Sequence, residues 1–137
     1  MFPLSSPRFL RAALLLDAAS VLLCGVPQVL FTAWLARWTG LGPTLLLASG
    51  VFLLAYAALV LWIGTRQPIP AAPVRLVIAG NLVWGVGCIG LIASAPSGLP
   101  FWSLAYLLLH VLAVTLFAAL QWAGLRQANG MLQPVAG

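Results

Sequence analysis

The chain has 137 residues, of which 64% are hydrophobic and only 5% carry a formal charge. Soluble domains hold about 25% charged residues, and disordered chains are poor in apolar groups, so both classes are excluded. What remains is an all-α, polytopic membrane protein, in which about 20 residues of helix cross a hydrocarbon core of roughly 30 Å.

The net charge of +5 does not point to nucleic acid. All six basic residues are arginines at the ends of apolar runs, and no cluster tracks a phosphate backbone. The expected partners are the lipid bilayer and, within it, other membrane subunits or further copies of the chain.

Arg8 and Arg11 precede an apolar run, as in a secretory signal peptide, and Ala18-Ala19-Ser20 imitates a cleavage site. Asp17 interrupts that run, which then continues to about Leu35, so the segment reads as a retained first span over residues 10–36. At 1.5 Å per residue such a helix is roughly 40 Å long, more than the core requires. Gly25 and Pro27 lie inside it and predict a kink near Pro27. The following stretch, with Gln28, Phe31, Thr32, Trp34, Arg37 and Trp38, is expected to lean into the membrane interface.

The second span is read over residues 43–63, with Pro43 suited to a first helical turn. The segment Gln67 to Pro73 holds three prolines and reads as non-helical. The third span follows over 74–93, then a turn-rich connector from Ser94 to Pro100, and the fourth span over 101–124. Residues 1–126 thus make one four-helix membrane domain, and 127–137 a frayed, polar tail. Four spans place Arg8, Arg11, Arg66, Arg75 and Arg126 on one side and only Arg37 on the other. The positive-inside rule then puts both termini in the cytoplasm.

Arg11, Asp17 and Cys24 have counterparts 64 residues on, in Arg75, Asn81 and Cys88, and Trp38 falls on Trp102. Read as a tandem duplication, this relates two pairs of spans of the same topology. Asp17 and Asn81 each lie about 9 Å inward from their arginines, and Gln121 about 7 to 8 Å inward from Arg126. If the helix faces converge, these three form a polar layer, with Trp84 one turn beyond Asn81 lining the same cavity. Asn81 and Gln121 alone are ordinary helix–helix glue. Asp17 is the chain's one carboxylate, and a charge in a membrane costs about 2.5 to 3.5 kcal/mol even on the lenient scale. It is therefore either a binding residue or a neutral carboxyl bonded to Asn81.

A deeper layer holds Cys24 and Cys88, each about 20 Å in, and His110, about 24 Å in. Two thiols and an imidazole suit a soft metal or a redox pair, but no short-spaced ligand motif accompanies them, and free cysteine also packs as a small hydrophobe. No particular cofactor is implied. Gly80, Gly87 and Ser94 recur every seven residues on span three and predict a close helix contact there. GxSxG, HExxH and P-loop patterns are all absent, which argues against an enzyme.

Four strings resemble a widespread group of small four-span bacterial proteins: Leu16-Asp17-Ala18, the stretch Gly50 to Ala57, Gly80 to Trp84, and Leu120 to Arg126. That resemblance implies an inner-membrane location rather than an activity. The plan is also similar to the small multidrug resistance transporters, with four short helices and one acidic residue in the first. Those carry glutamate where this chain has Asp17, and their surrounding motifs are absent here. The sequence alone favours a non-enzymatic structural or accessory membrane protein that stabilises a larger complex. The alternative is a transporter or binding protein for a small solute or lipid, centred on Asp17, Asn81, Trp84 and Gln121. A Cys24/Cys88/His110 metal or redox site is the third reading.

Overall fold

The structure is a computed structural model that describes residues 7–95 and 97–130. It is all-helical over those residues: α1 (Pro7–Leu30), α2 (Thr32–Thr39), α3 (Pro43–Thr65), α4 (Ala71–Ala93) and α5 (Phe101–Gly130). Of these, α1, α3, α4 and α5 are long and apolar enough to cross a membrane. At 23 to 30 residues they measure about 34 to 45 Å.

Several boundaries differ from the sequence reading. The first span is two helices, and the break falls at Phe31 (φ −122°, ψ 32°), four residues after Pro27. Thr32 Oγ1 donates to the carbonyls of Gln28, at 2.5 Å, and Val29, at 3.2 Å. A side-chain hydroxyl that takes such carbonyls bends or ends a helix, because it competes with the backbone. α2 then stops at Gly40, whose left-handed φ of 76° lets its N–H close on Ala36 O.

α4 starts at Ala71 rather than Val74, with Pro70 as its cap and Pro73 in its first turn. A helix leaves its first N–H groups without internal partners, so proline costs little there. α5 continues to Gly130, past the expected end at Gly124 and into the segment read as frayed tail. The rest of that tail, 131–137, lies outside the described residues.

α1 packs along α3, α4 packs along α5, and α1 also lies against α5. α3 and α4 touch at only a few points, one being Tyr56 Oη, which donates to Val77 O at 2.9 Å. The bundle is thus closed on three seams and loose on the fourth. Towards the arginine-rich end all four long helices supply a continuous core that includes Leu10, Leu14, Val60, Ile63, Val74, Val77, Ala118 and Leu125. At that end the Arg11 guanidinium donates to Arg66 O, tying the start of α1 to the end of α3.

Lipid provides no hydrophobic drive between helices, so their approach depends on shape. The tightest contact joins α1 and α3. A Cβ on Gly50 would sit 2.7 Å from Gln28 Cβ and 3.2 Å from Gly25 O. The heptad stripe on α4 does not serve the same purpose. Gly80 abuts the Tyr56 ring, but Gly87 faces open space and Ser94 is exposed.

Positions 64 apart meet in space. Asn81 Nδ2 donates to Asp17 Oδ2, Ser103 Oγ donates to Thr39 O, and the Trp38 and Trp102 rings lie 4.4 Å apart. The tight pairs α1·α3 and α4·α5 correspond under the same offset. The two remaining seams, α1·α5 and α3·α4, also correspond, yet one is packed and the other loose.

Candidate functional site

Asp17 is 1% exposed, Asn81 2% and Gln121 0%. They come from α1, α4 and α5 and form a closed triad. Asn81 Nδ2 donates to Asp17 Oδ2 at 2.9 Å and to Gln121 Oε1 at 3.2 Å, while Gln121 Nε2 donates to Asp17 Oδ2 at 2.6 Å. Both partners of the carboxyl are neutral amides, so among the described residues no cation answers it. Both also bind the same oxygen, which leaves Asp17 Oδ1 buried and without a partner among the described residues.

Asp17 and Asn81 help to line a cavity of about 70 Å³ together with Trp84, Tyr56, Cys24 and His110. Gln121 is not among its lining residues and braces the carboxyl from behind. Trp84 Nε1 and His110 Nε2 are also buried and unpartnered among the described residues. Three stranded polar atoms therefore belong to residues lining one small space. Buried polar groups are nearly always paired, so each exception asks for an explanation.

Local geometry sets what each atom presents. His110 Nδ1 lies 2.9 Å from Tyr106 O, one helical turn back on α5. A carbonyl oxygen only accepts, so Nδ1 carries the proton, and in the neutral form of the ring Nε2 is a lone pair. The Trp84 ring stacks on Phe52 at 5.6 Å with planes 2° apart. That stack covers a face of the indole and leaves its N–H to the side. The residues around the cavity thus include a carboxyl, an imidazole and an indole, whose unpartnered atoms are themselves buried.

A second cavity, of about 550 Å³, adjoins the first and shares Phe52, Gly80, Trp84 and His110 with it. It lies along the loose α3/α4 seam and is mostly apolar, with Leu45, Val83 and Leu91 among its walls. Its volume falls in the range of about 300 to 1,000 Å³ typical of small-molecule pockets. Gln28, expected at the interface, is instead 1% exposed and borders this cavity. It donates to Tyr106 Oη at 2.6 Å and accepts from Ser49 Oγ at 2.7 Å, so it joins α1, α5 and α3.

Cys24 and Cys88 are both free thiols; Cys24 lines the small cavity, Cys88 the large one, and His110 both. Among the described residues no three His, Cys, Asp or Glu side chains gather as a metal site. Phe52, Tyr56 and Tyr106 join the site without having been expected there. The four-residue step from Tyr106 to His110, which puts both on one helix face, was the available signal. Comparison with known protein families, with curated proteins and with solved structures finds no match to this chain.

Proposed function

We propose that this protein is a non-enzymatic binding protein or carrier for a small amphipathic solute or lipid, centred on Asp17. The supporting observation is that Asp17 Oδ1, Trp84 Nε1 and His110 Nε2, all buried without partners, belong to residues around one cavity that adjoins an apolar groove. A strut that only held helices together would have no use for a stranded carboxyl oxygen, because that oxygen adds desolvation cost without a bond. Asp17, Asn81, Trp84 and Gln121 form the site in this reading, with Gln121 and Asn81 holding the carboxyl and Trp84 facing the solute.

In the same reading the chain lies in the bacterial inner membrane with both termini cytoplasmic. Short connections make the spans alternate, and Arg8, Arg11, Arg66, Arg75 and Arg126 then share one end. The solute site lies inward of that end, above the packed core.

Replacing Asp17 with Asn tests the reading. The carbonyl of the introduced amide can still accept from Asn81 and Gln121, so the fold survives, but an NH₂ replaces the acidic oxygen. Binding or transport should be lost while the folded, detergent-extracted protein is unchanged. Undiminished activity in that variant removes the proposal.

An accessory role in a larger complex is the second reading, favoured by the exposed apolar side chains of the long helices, such as Leu82, Val83, Val86 and Leu112. Lipid accounts for those faces equally well. Gentle purification from the native membrane separates the two, since a stable partner is required only by the accessory role.

A further inference from the structure

A further candidate lies at the arginine-rich end and shares no lining residue with the two cavities near Asp17. Arg8, Arg11, Ala12 and Leu15 of α1 and Gln67, just past the end of α3, border an open crevice of about 420 Å³. We propose that this crevice holds the headgroup of a net-anionic phospholipid, one with a phosphodiester and no ammonium. The inference needs the membrane setting but not the solute site.

Charge selects the headgroup. Asp17 is the chain's one acidic side chain, and it is buried between Asn81 and Gln121. No acidic side chain is left to neutralise Arg8 and Arg11. Basic pockets at the ends of membrane helices bind anionic headgroups, and a planar guanidinium matches two phosphate oxygens at once. The same lack of acid disfavours a zwitterionic lipid. Its ammonium would meet two guanidiniums and no carboxylate among the residues of the crevice.

Position selects a lipid over a free anion. Arg11 Nη2 donates to Arg66 O at 3.0 Å, which fixes the guanidinium across the α1/α3 seam and leaves its other N–H groups for a ligand. Inward of Arg11, Leu15 lies against Gly64, where a Cβ would sit 3.2 Å from Leu15 Cδ2. Leu15, Ala19, Leu23 and Val26 follow one another at helical spacing, and all are exposed. An apolar lane therefore runs along α1 from the crevice, where an acyl chain can lie while its phosphate stays with the arginines. Two other arginines at this end are placed differently. Arg66 lies over the Trp62 ring at 4.2 Å and Arg126 over the Trp122 ring at 5.8 Å, and neither borders the crevice.

The test uses the full chain in mixed micelles, with bound lipid counted by native mass spectrometry. Dioleoylphosphatidylglycerol should bind saturably and at least about tenfold more tightly than dioleoylphosphatidylcholine, since each arginine near such a headgroup is worth about fivefold. Arg8→Gln removes no hydrogen bond among the described residues and should weaken phosphatidylglycerol binding about fivefold. The double variant Arg8→Gln/Arg11→Gln should lose at least about tenfold, whereas Arg126→Gln should change the affinity less than about twofold. Equal affinity for the two lipids overturns the assignment, as does unchanged affinity in folded Arg8→Gln protein. A loss in Arg126→Gln as large as in Arg8→Gln also overturns it, because attraction would then be spread over the whole end. Displacement of the lipid by an equal concentration of inorganic phosphate would make this a site for a free anion, and the lipid assignment falls.

Discussion

Asn81 Nδ2 sits 2.9 Å from Asp17 Oδ2, and the two residues lie 64 apart in the chain, the same offset that separates the stacked Trp38 and Trp102. Two carboxyls there would repel, so pairing the carboxyl with an amide makes the centre both stable and polar.

That pairing predicts unequal costs. Asn81→Leu removes both of its hydrogen bonds and leaves the buried carboxyl with Gln121 alone, so it should destabilise the protein by about 2 to 4 kcal/mol. Asp17→Asn keeps an acceptor for both amides and should change stability by less than about 1 kcal/mol. Reversible unfolding in mixed micelles measures both. A larger loss for Asp17→Asn than for Asn81→Leu contradicts the geometry of the triad.

Gly50 and Gly87 should respond in opposite ways to alanine. A Cβ at Gly50 meets Gln28 Cβ at 2.7 Å and Gly25 O at 3.2 Å, so α1 and α3 must separate, at about 1 to 3 kcal/mol. At Gly87 nothing lies within 4 Å, and removing a flexible glycine from a helix should be neutral or stabilising by up to about 1 kcal/mol. The same unfolding assay ranks the two variants.

Gln28→Leu deletes the link between Tyr106 Oη and Ser49 Oγ, leaving Ser49 Oγ its bond to Leu46 O and Tyr106 Oη to find another partner. The expected loss is about 1 to 3 kcal/mol. Ser49→Ala removes a single donor to Gln28 and should cost less, about 1 kcal/mol. Comparing them shows whether Gln28 acts as the hub of the outer half.

Topology provides a fourth prediction. Reporters fused before Pro7 and after Gly130 should report the same side of the membrane, and a cysteine placed at Arg37 the opposite side. Accessibility to a membrane-impermeant thiol reagent, in a background without Cys24 and Cys88, measures this. Opposite locations for the two ends would undo the four-span arrangement and, with it, the shared depth of Asp17, Asn81 and Gln121.

Amino-acid order alone determines that the chain is four apolar spans with arginines biased to one end, because hydrophobic length and charge placement are local properties read against a membrane of known thickness. It also shows Asp17, Asn81 and Gln121 at a common depth, since rise per residue is constant along a helix. It does not show direction. None of the long helices has a strong amphipathic stripe, because lipid-facing and bundle-facing residues are equally apolar, so rotation about each axis was illegible. The tertiary structure decided that the three polar side chains share one oxygen, that Gln28 points inward, and that Gly50 rather than Gly87 brings helices together. It also decided that one seam of four is loose, and so where the groove lies. Those outcomes depend on which side chains fit between whole helices, a matter of shape that no single span contains.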